Sequence, residues 1–308
     1  NTNTSIFKLL HKIRYHSVNM TWNMTKQLPD IATAVLAEKR FINKVARQYP
    51  INGIISDNRF GCYHSMIHSV FMTHQLTIKM PYEWMEKIVR KINHYWINKF
   101  DECWVPDYEG KNNLAGKLSR LQPGAKLPST LYIGSLSRLK CYQKPTEYQT
   151  LTILSGPEPQ RSFLEEKIRK QLSSIAGKHA LVRGVTEDKS APSTVDNLTT
   201  FPYLTTKKLN HLIAASRYII ARSGYSTIMD LAKMKKKALL IPTPGQTEQE
   251  YLAETLRAKR ICHFQTQSSL NLKNGLIELT QFSGFQNQEN SNSHLSKIVA
   301  KFIEKISR

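Results

Sequence analysis

The sequence predicts an α/β protein of two doubly wound halves, and three observations carry that expectation. Short apolar runs alternate with longer amphipathic stretches from Leu151 onward, the same alternation in a less regular form fills the part before Lys140, and a polar, turn-prone stretch, CYQKPTEYQT, lies between. Alternation at this spacing builds right-handed βαβ units and therefore a parallel sheet covered on both faces. The domains are expected at 1–140 and 151–308, with 141–150 as linker. A chain of 308 residues with 40% hydrophobic content can fill two such cores.

In the first half, IATAVLAEKRFINKVARQY reads as a helix, INGIISD and HSVFMTHQ as strands, WMEKIVRKINHYWINKF as a helix, and DECWVPD and TLYIGSL as two further strands. A doubly wound domain opens with a strand and a turn ahead of its first helix. Nothing before Lys26 supplies that pair, and the first residue is Asn1, so this domain is expected to lack its opening strand and loop. In the second half LTIL, HALVRGV, YIIARSG and ALLIP read as strands. Between and after them EPQRSFLEEKIRKQLSSIA, TTKKLNHLIAAS, YSTIMDLAKMKK and QTEQEYLAETLRAKR read as helices. Leu295, Ile298, Val299, Phe302 and Ile306 recur near helical spacing, which predicts a terminal amphipathic helix.

Composition narrows the class. With 22% charged residues, 9% aromatics and 13 each of Gly and Pro, collagen-like, low-complexity and coiled-coil chains are excluded. No apolar run approaches the roughly 18–20 residues of a spanning helix. Cys62, Cys103, Cys141 and Cys262 are far apart with no CxxC pair, which reads as reduced thiols in a cytoplasmic protein. The net charge of +21 is spread over both halves without a basic tail. Such a surplus attracts an anionic partner, phosphate or lipid, while the scarcity of tight basic runs argues against nucleic acid.

The chemistry is expected in the turns that follow the strands, because open α/β sheets bind ligands beyond their carboxyl ends. After LTIL come Ser155 and Gly156, where glycine allows close approach and the next helix offers free N–H groups to a phosphate; an ordinary tight turn accounts for them equally well. After YIIA come Arg222, Ser223, Gly224, Tyr225, Ser226 and Thr227, a set that suits a diphosphate, with Asp230 placed to accept bonds from vicinal ribose hydroxyls. The plainer account makes Thr227 the N-cap and Asp230 its capping partner. The third turn leads to Gln249 and Glu250, whose amide and carboxylate suit sugar hydroxyls or simply cap the helix.

The run ARSGYSTIMDLAKMKKKALLIPTPGQTEQEYLAETL resembles the donor-binding half of glycosyltransferase family 28, which includes the bacterial enzyme that adds N-acetylglucosamine to the lipid-linked peptidoglycan precursor. Upstream, IISDNRFGCYH, VFMTHQ and FDECWVPDYEG resemble a bacterial and archaeal branch of these transferases. The resemblance implies the GT-B fold, two Rossmann-like domains facing a cleft, and a UDP-sugar bound by the C-terminal one. It places Asp230 on the ribose, Gln249 and Glu250 at the Gln-Gln pair that contacts the sugar, and Ser155 and Gly156 at a phosphate loop. Gly134-Ser135-Leu136-Ser137-Arg138 is similar to the family's G-x-P-x-R, making Arg138 a diphosphate ligand.

The implied reaction is transfer of a hexose-type sugar to an acceptor hydroxyl, with inversion. No DxD pair stands ready to hold a metal against a diphosphate, so neither metal nor cofactor is expected. Asp57 and His74, at the ends of predicted strands, are the candidates for catalytic base, with Asn58 and Arg59 on the acceptor side. The basic, aromatic segment MPYEWMEKIVRKINHYWINKF and the charge suit a lipid-linked or glycan acceptor at the inner face of the cell membrane, although an ordinary surface helix has the same pattern. The competing functions are a UDP-sugar epimerase of the same fold, a basic nucleic-acid-binding protein, and a nucleotide-sugar binder without catalysis.

Overall fold

The computed structural model describes residues 20–285 and 291–307 and divides into two compact units, Asn1–Gly134 with Asn290–Arg308, and Ser135–Glu289. In the first unit α1 (Met20–Gln48) precedes β1 (Gly53–Asp57), β2 (His68–Met72), α2 (Glu83–Ile97), β3 (Glu102–Val105) and β4 (Ser129–Tyr132). The four strands are parallel in the order β1-β2-β3-β4. Phe71, Leu76, Ile97, Phe100, Cys103 and Val105 form a buried cluster in this unit. Glu83 and Glu86 in the first turn of α2 favour its start through the helix dipole.

The second unit holds β5 (Tyr148–Ile153), α3 (Gln160–Leu172), β6 (His179–Val182), β7 (Ser193–Val195), β8 (Leu198–Phe201), α4 (Thr206–Ala214) and β9 (Ser216–Ala221). It continues with α5 (Tyr225–Met234), β10 (Lys237–Leu240), α6 (Thr247–Ala258), β11 (His263–Phe264) and α7 (Leu272–Leu279). The sheet order is β11-β10-β9-β5-β6-β8-β7, parallel except for β7, which runs antiparallel to β8. The chain thus builds outward from β5 to one side and then crosses back, so the order reverses between β5 and β9. Crevices for ligands lie at such a reversal, outside the carboxyl ends. Fourteen buried apolar residues, among them Leu164, Ile168, Leu181, Ile220, Leu239 and Leu276, form the core cluster that fixes the helices on the sheet. Among the described residues of the first unit, strand order shows no such reversal.

Beyond helix α7, which the sequence reading does not single out, three features depart from the sequence expectation. The β7–β8 hairpin turns through Asp196 at φ 53° and adds a polar edge strand whose burial is nil, so no hydrophobic alternation announced it. The two-residue strand β11 exists only through its pairing with Leu239 and Leu240 of β10, a contact no local pattern encodes. The third concerns α8 (Ser291–Ile306), expected within the second domain as part of 151–308 but belonging to the first compact unit. Its Phe302 ring meets those of His68 at 5.8 Å and Trp104 at 5.6 Å. A Cβ on Gly53 would stand 2.7 Å from Phe302, so glycine there is what lets the helix approach β1. Lys305 donates to buried Glu102, which also accepts from Trp104 Nε1 at 2.8 Å and lies 3.2 Å from His68 Nε2. Burial pushes the Glu102 carboxyl upward, but the bonds from Lys305, Trp104 and His68 outweigh it and hold the group below its ordinary range.

Candidate functional site

Three of the turns singled out in the sequence sit side by side at the carboxyl edge of the second sheet. Ala221 of β9 is level with Ile153 of β5 on one side and with Leu240 of β10 on the other. The turns after β5 and β9 therefore flank the reversal of strand order, with the turn after β10 next to them.

In the first turn Ser155 and Gly156 are exposed, and Gly156 adopts φ +99°, a conformation reserved in practice for glycine. The helix beyond, α3, starts behind Pro159, and the Glu158 carboxylate just ahead of it accepts from Ser162 N at 3.2 Å. In the second turn Ser223 is buried and its Oγ donates to the Gln249 carbonyl at 2.7 Å, tying this turn to α6. Gly224, not Thr227, is the N-cap of α5, without a side-chain cap, and a Cβ there would meet only open space. Ser226 and Thr227 lie on the first turn of that helix, the former exposed and the latter half-buried. An uncapped helix start with hydroxyls around it is the arrangement that receives an anion. In the third turn the Gln249 side chain accepts from Thr243 N at 2.9 Å and donates to Gln246, while Glu250 accepts from Gly245 N at 3.1 Å. Both side chains thus shape the turn in front of their own helix.

Arg222 takes a different role from the one its sequence suggests. Its side chain is buried, with Nη1 donating to the carbonyls of Ile241 at 3.1 Å and Pro242 at 3.0 Å. Nη2 donates to the Gln160 carbonyl at 2.9 Å and to Gln267 Oε1 at 2.6 Å. Gln267 Nε2 in turn reaches Gln160 Oε1 at 3.0 Å. The guanidinium is therefore a clamp joining β9, the end of β10, the start of α3 and the loop before α7, and it does not present itself to a diphosphate. Burial without a carboxylate partner lowers its pKa to about 10. The expectation of Arg222 as a direct ligand fails because backbone acceptors from distant turns take up both of its terminal nitrogens.

Asp230 lies on α5, and its Oδ1 accepts from Ser137 Oγ at 2.6 Å. Ser137 Oγ also accepts from Leu139 N at 3.1 Å, and Leu136 N points to Met229 Sδ at 3.3 Å, so the segment carrying Arg138 is pinned along α5. Arg138 is exposed and close enough to stabilise the Asp230 carboxylate electrostatically. Burial raises the Asp230 pKa, against the opposing effects of the Ser137 bond and the Arg138 charge. The carboxylate that sequence spacing assigned to a ribose is thus half-buried and oriented by Ser137, a residue the sequence reading passed over.

The first unit carries Asp57, Asn58, Arg59 and His74 at the carboxyl ends of β1 and β2. Asp57 is level with Met72, and Asn58 N donates to the Met72 carbonyl at 3.0 Å. Thr73 Oγ1 donates to Asn58 Oδ1 at 3.2 Å, so the loops bearing Asp57 and His74 are joined. Asp57 is exposed and His74 half-buried. Arg59 Nη1 pairs with Glu38 Oε1 at 3.0 Å, and Glu38 Oε2 accepts from Gly61 N at 3.0 Å. Glu38, buried on α1, was invisible to the sequence reading because its partners lie more than twenty residues away. The same holds for Asp107 after β3, fully buried, which accepts from Tyr108 N, Leu114 N, Ala115 N and Ser119 Oγ at 2.6–2.9 Å and so folds the loop 108–119 around one carboxylate.

Two parallel α/β units, one of them with reversed strand order and glycine turns at the reversal, define a Rossmann-like protein of GT-B architecture. Solved structures of that fold align over most of the chain. A calicheamicin glycosyltransferase shares 12% identity at TM-score 0.61, covering 97% of this chain and 84% of its own. MurG of Acinetobacter baumannii shares 13% at TM-score 0.52, covering 88% and 78%. A Listeria monocytogenes structure titled as a UDP-N-acetylglucosamine 2-epimerase shares 11% at TM-score 0.54, covering 90% and 80%. Among curated proteins none matches in sequence. Residues 157–306 match the glycosyltransferase family 28 C-terminal domain, which is what this part of the chain is similar to. The matched segment includes α8, so the family's domain spans both compact units.

Proposed function

We propose that the enzyme transfers a hexose-type sugar from a nucleotide, UDP in the first instance, to an acceptor hydroxyl with inversion at the anomeric carbon and without a metal ion. The observation that carries this reading is Asp230, oriented by Ser137 beside the uncapped start of α5. A carboxylate there accepts two hydroxyls of a ribose whose diphosphate lies at the helix start, where the dipole and the N–H groups favour negative charge. Charge growing on the leaving diphosphate is met by the α5 start with Ser226 and Thr227, by Ser155 and Gly156, and by Arg138. Arg222 contributes by holding the turns and not by contact. The sugar lies against the turn that Gln249 and Glu250 shape ahead of α6, and Asp57 or His74 takes the acceptor proton, with Asn58 and Arg59 beside it.

Calorimetry with UDP, ADP, GDP and dTDP tests this directly. One of them binds the wild type, and Asp230→Asn weakens it by roughly 10- to 100-fold, the worth of charge-assisted hydrogen bonds, with a smaller penalty for the 2′-deoxy nucleotide. Absence of binding for all four refutes the reading. Turnover that persists in excess EDTA separates metal-independent from metal-assisted transfer, and conversion of the sugar nucleotide without any acceptor marks an epimerase instead.

The acceptor is proposed to be lipid-linked or a glycan at an anionic membrane surface. Among the described residues no helix is long and apolar enough to cross a membrane. Supporting a surface contact, α2 exposes Trp84, Ile88, Ile92 and Tyr95 along one face, interleaved with Lys87, Lys91 and, just beyond its end, Lys99. Aromatic and aliphatic groups among lysines suit the boundary between headgroups and acyl chains. Flotation with anionic vesicles at low salt, lost for Trp84→Ser combined with Lys91→Glu, is the expected result; equal flotation with neutral vesicles, or none, removes the membrane part alone.

A further inference from the structure

Thr243, in the turn after β10, is a buried residue with nothing bonded to its hydroxyl. Its side chain is 1% exposed and Oγ1 has no hydrogen-bond partner. An unsatisfied hydroxyl at such depth is costly to bury, so its presence calls for a reason. The neighbouring backbone supplies one. Gly156 stands at φ +99°, and if it carried a Cβ the one group within 4 Å would be Thr243 Oγ1, at 3.7 Å. The hydroxyl therefore faces the space beside Gly156, in the turn that follows β5. Neighbouring bonds fix its direction: Thr243 N is held by Gln249 Oε1 at 2.9 Å, Pro242 O by Arg222, and the Gln249 carbonyl by Ser223.

We infer that the Thr243 hydroxyl is a ligand for the diphosphate of the sugar nucleotide, donating its hydrogen bond to a phosphate oxygen seated against Gly156. This rests on the reading of the second unit as the nucleotide-sugar site and adds a residue to it. A phosphate oxygen is small, anionic and suited to the close backbone approach that glycine permits, and it satisfies a buried polar atom that the turn leaves open. The sequence reading passed over Thr243 because a threonine between two prolines looks like turn punctuation. Only its burial and the position of Gly156 single it out.

The test compares Thr243→Val, which keeps the shape and removes the hydroxyl, with Thr243→Ser, which keeps the hydroxyl. Affinities are measured by calorimetry for the nucleoside diphosphate that binds the wild type best and for the matching monophosphate, together with the melting temperature of the ligand-free protein. Thr243→Val is expected to bind the diphosphate about 10- to 100-fold more weakly. The same variant should bind the monophosphate nearly as well as the wild type does, and melt no lower, since it no longer buries an unsatisfied group. Thr243→Ser keeps most of the affinity. Unchanged diphosphate binding by Thr243→Val overturns the inference. A lowered melting temperature with equal loss for mono- and diphosphate also overturns it, since that marks a purely structural threonine. If the wild type binds no nucleoside diphosphate, the proposed function itself fails, an outcome distinct from all of these.

Discussion

The carboxyl edges of the two sheets are built from similar residues and use them in opposite ways. At the edge of the first sheet, carboxylates face inward: Asp107 gathers three backbone N–H groups and a hydroxyl, and Glu38 gathers Arg59 and Gly61. At the edge of the second sheet the inward-facing group is a cation, Arg222, and what it gathers is carbonyl oxygen. Next to this clamp, the N–H end of α5 carries no side-chain cap at Gly224. A carboxylate that collects N–H groups removes anion-binding capacity from a loop, whereas a cation that collects carbonyls preserves it. The lesson is that a charged side chain near a site sets the site's polarity by what it consumes as well as by what it presents.

Removing the two organisers tests the contrast most severely. Arg222→Ala leaves three carbonyls and the Gln267 amide without a donor in the interior, and is expected to cost about 3–5 kcal/mol in urea or guanidinium unfolding. If it folds normally and loses only nucleotide affinity, Arg222 is a ligand after all and the contrast collapses. Asp107→Asn exchanges a full acceptor for a weaker one and should cost about 1–3 kcal/mol. Its signature is faster amide exchange confined to residues 108–119, with nucleoside diphosphate affinity unchanged; a matched loss of affinity would tie that loop to the nucleotide.

A smaller effect sharpens the comparison between Asp230 and Glu102. Burial raises the Asp230 pKa in the fold, so the folded protein takes up that proton at a higher pH than the unfolded chain does. Its contribution to stability therefore grows as pH falls through the raised value, while nucleotide affinity, if Asp230 binds the ribose as proposed, is expected to decline over the same interval. Glu102 has the opposite sign: its lowered pKa contributes stability above the ordinary carboxylate range, lost as pH falls through the folded value. Calorimetric affinity against pH, repeated with Asp230→Asn, and melting temperature against pH, repeated with Lys305→Met, separate the two. An affinity flat down to the ordinary aspartate range counts against Asp230 as a ribose ligand.

Much of this arrangement is legible in the sequence, and for a local reason. Strand, glycine and helix start follow one another within a few residues at 153–160, 221–225 and 240–247, so the turns announce themselves. What was illegible is the direction of side chains whose partners are remote. Arg222 reads as a ligand until its acceptors at Gln160, Ile241, Pro242 and Gln267 are known, and these lie 19 to 62 residues away in the chain. Ser137 orients Asp230 across 93 residues. The edge strand β7 and strand β11 escaped because one is exposed along its whole length and the other is defined by its neighbour alone.

The return of α8 to the first sheet has a consequence for how the polypeptide comes to be folded as it is made. Lys305 and its partner Glu102 are 203 positions apart, and Phe302 covers strands that left the ribosome long before it. The amino-terminal sheet must therefore wait, with one flank bare, while the whole intervening unit is synthesised, and a chain that stops short of Phe302 leaves its earliest strands unfinished.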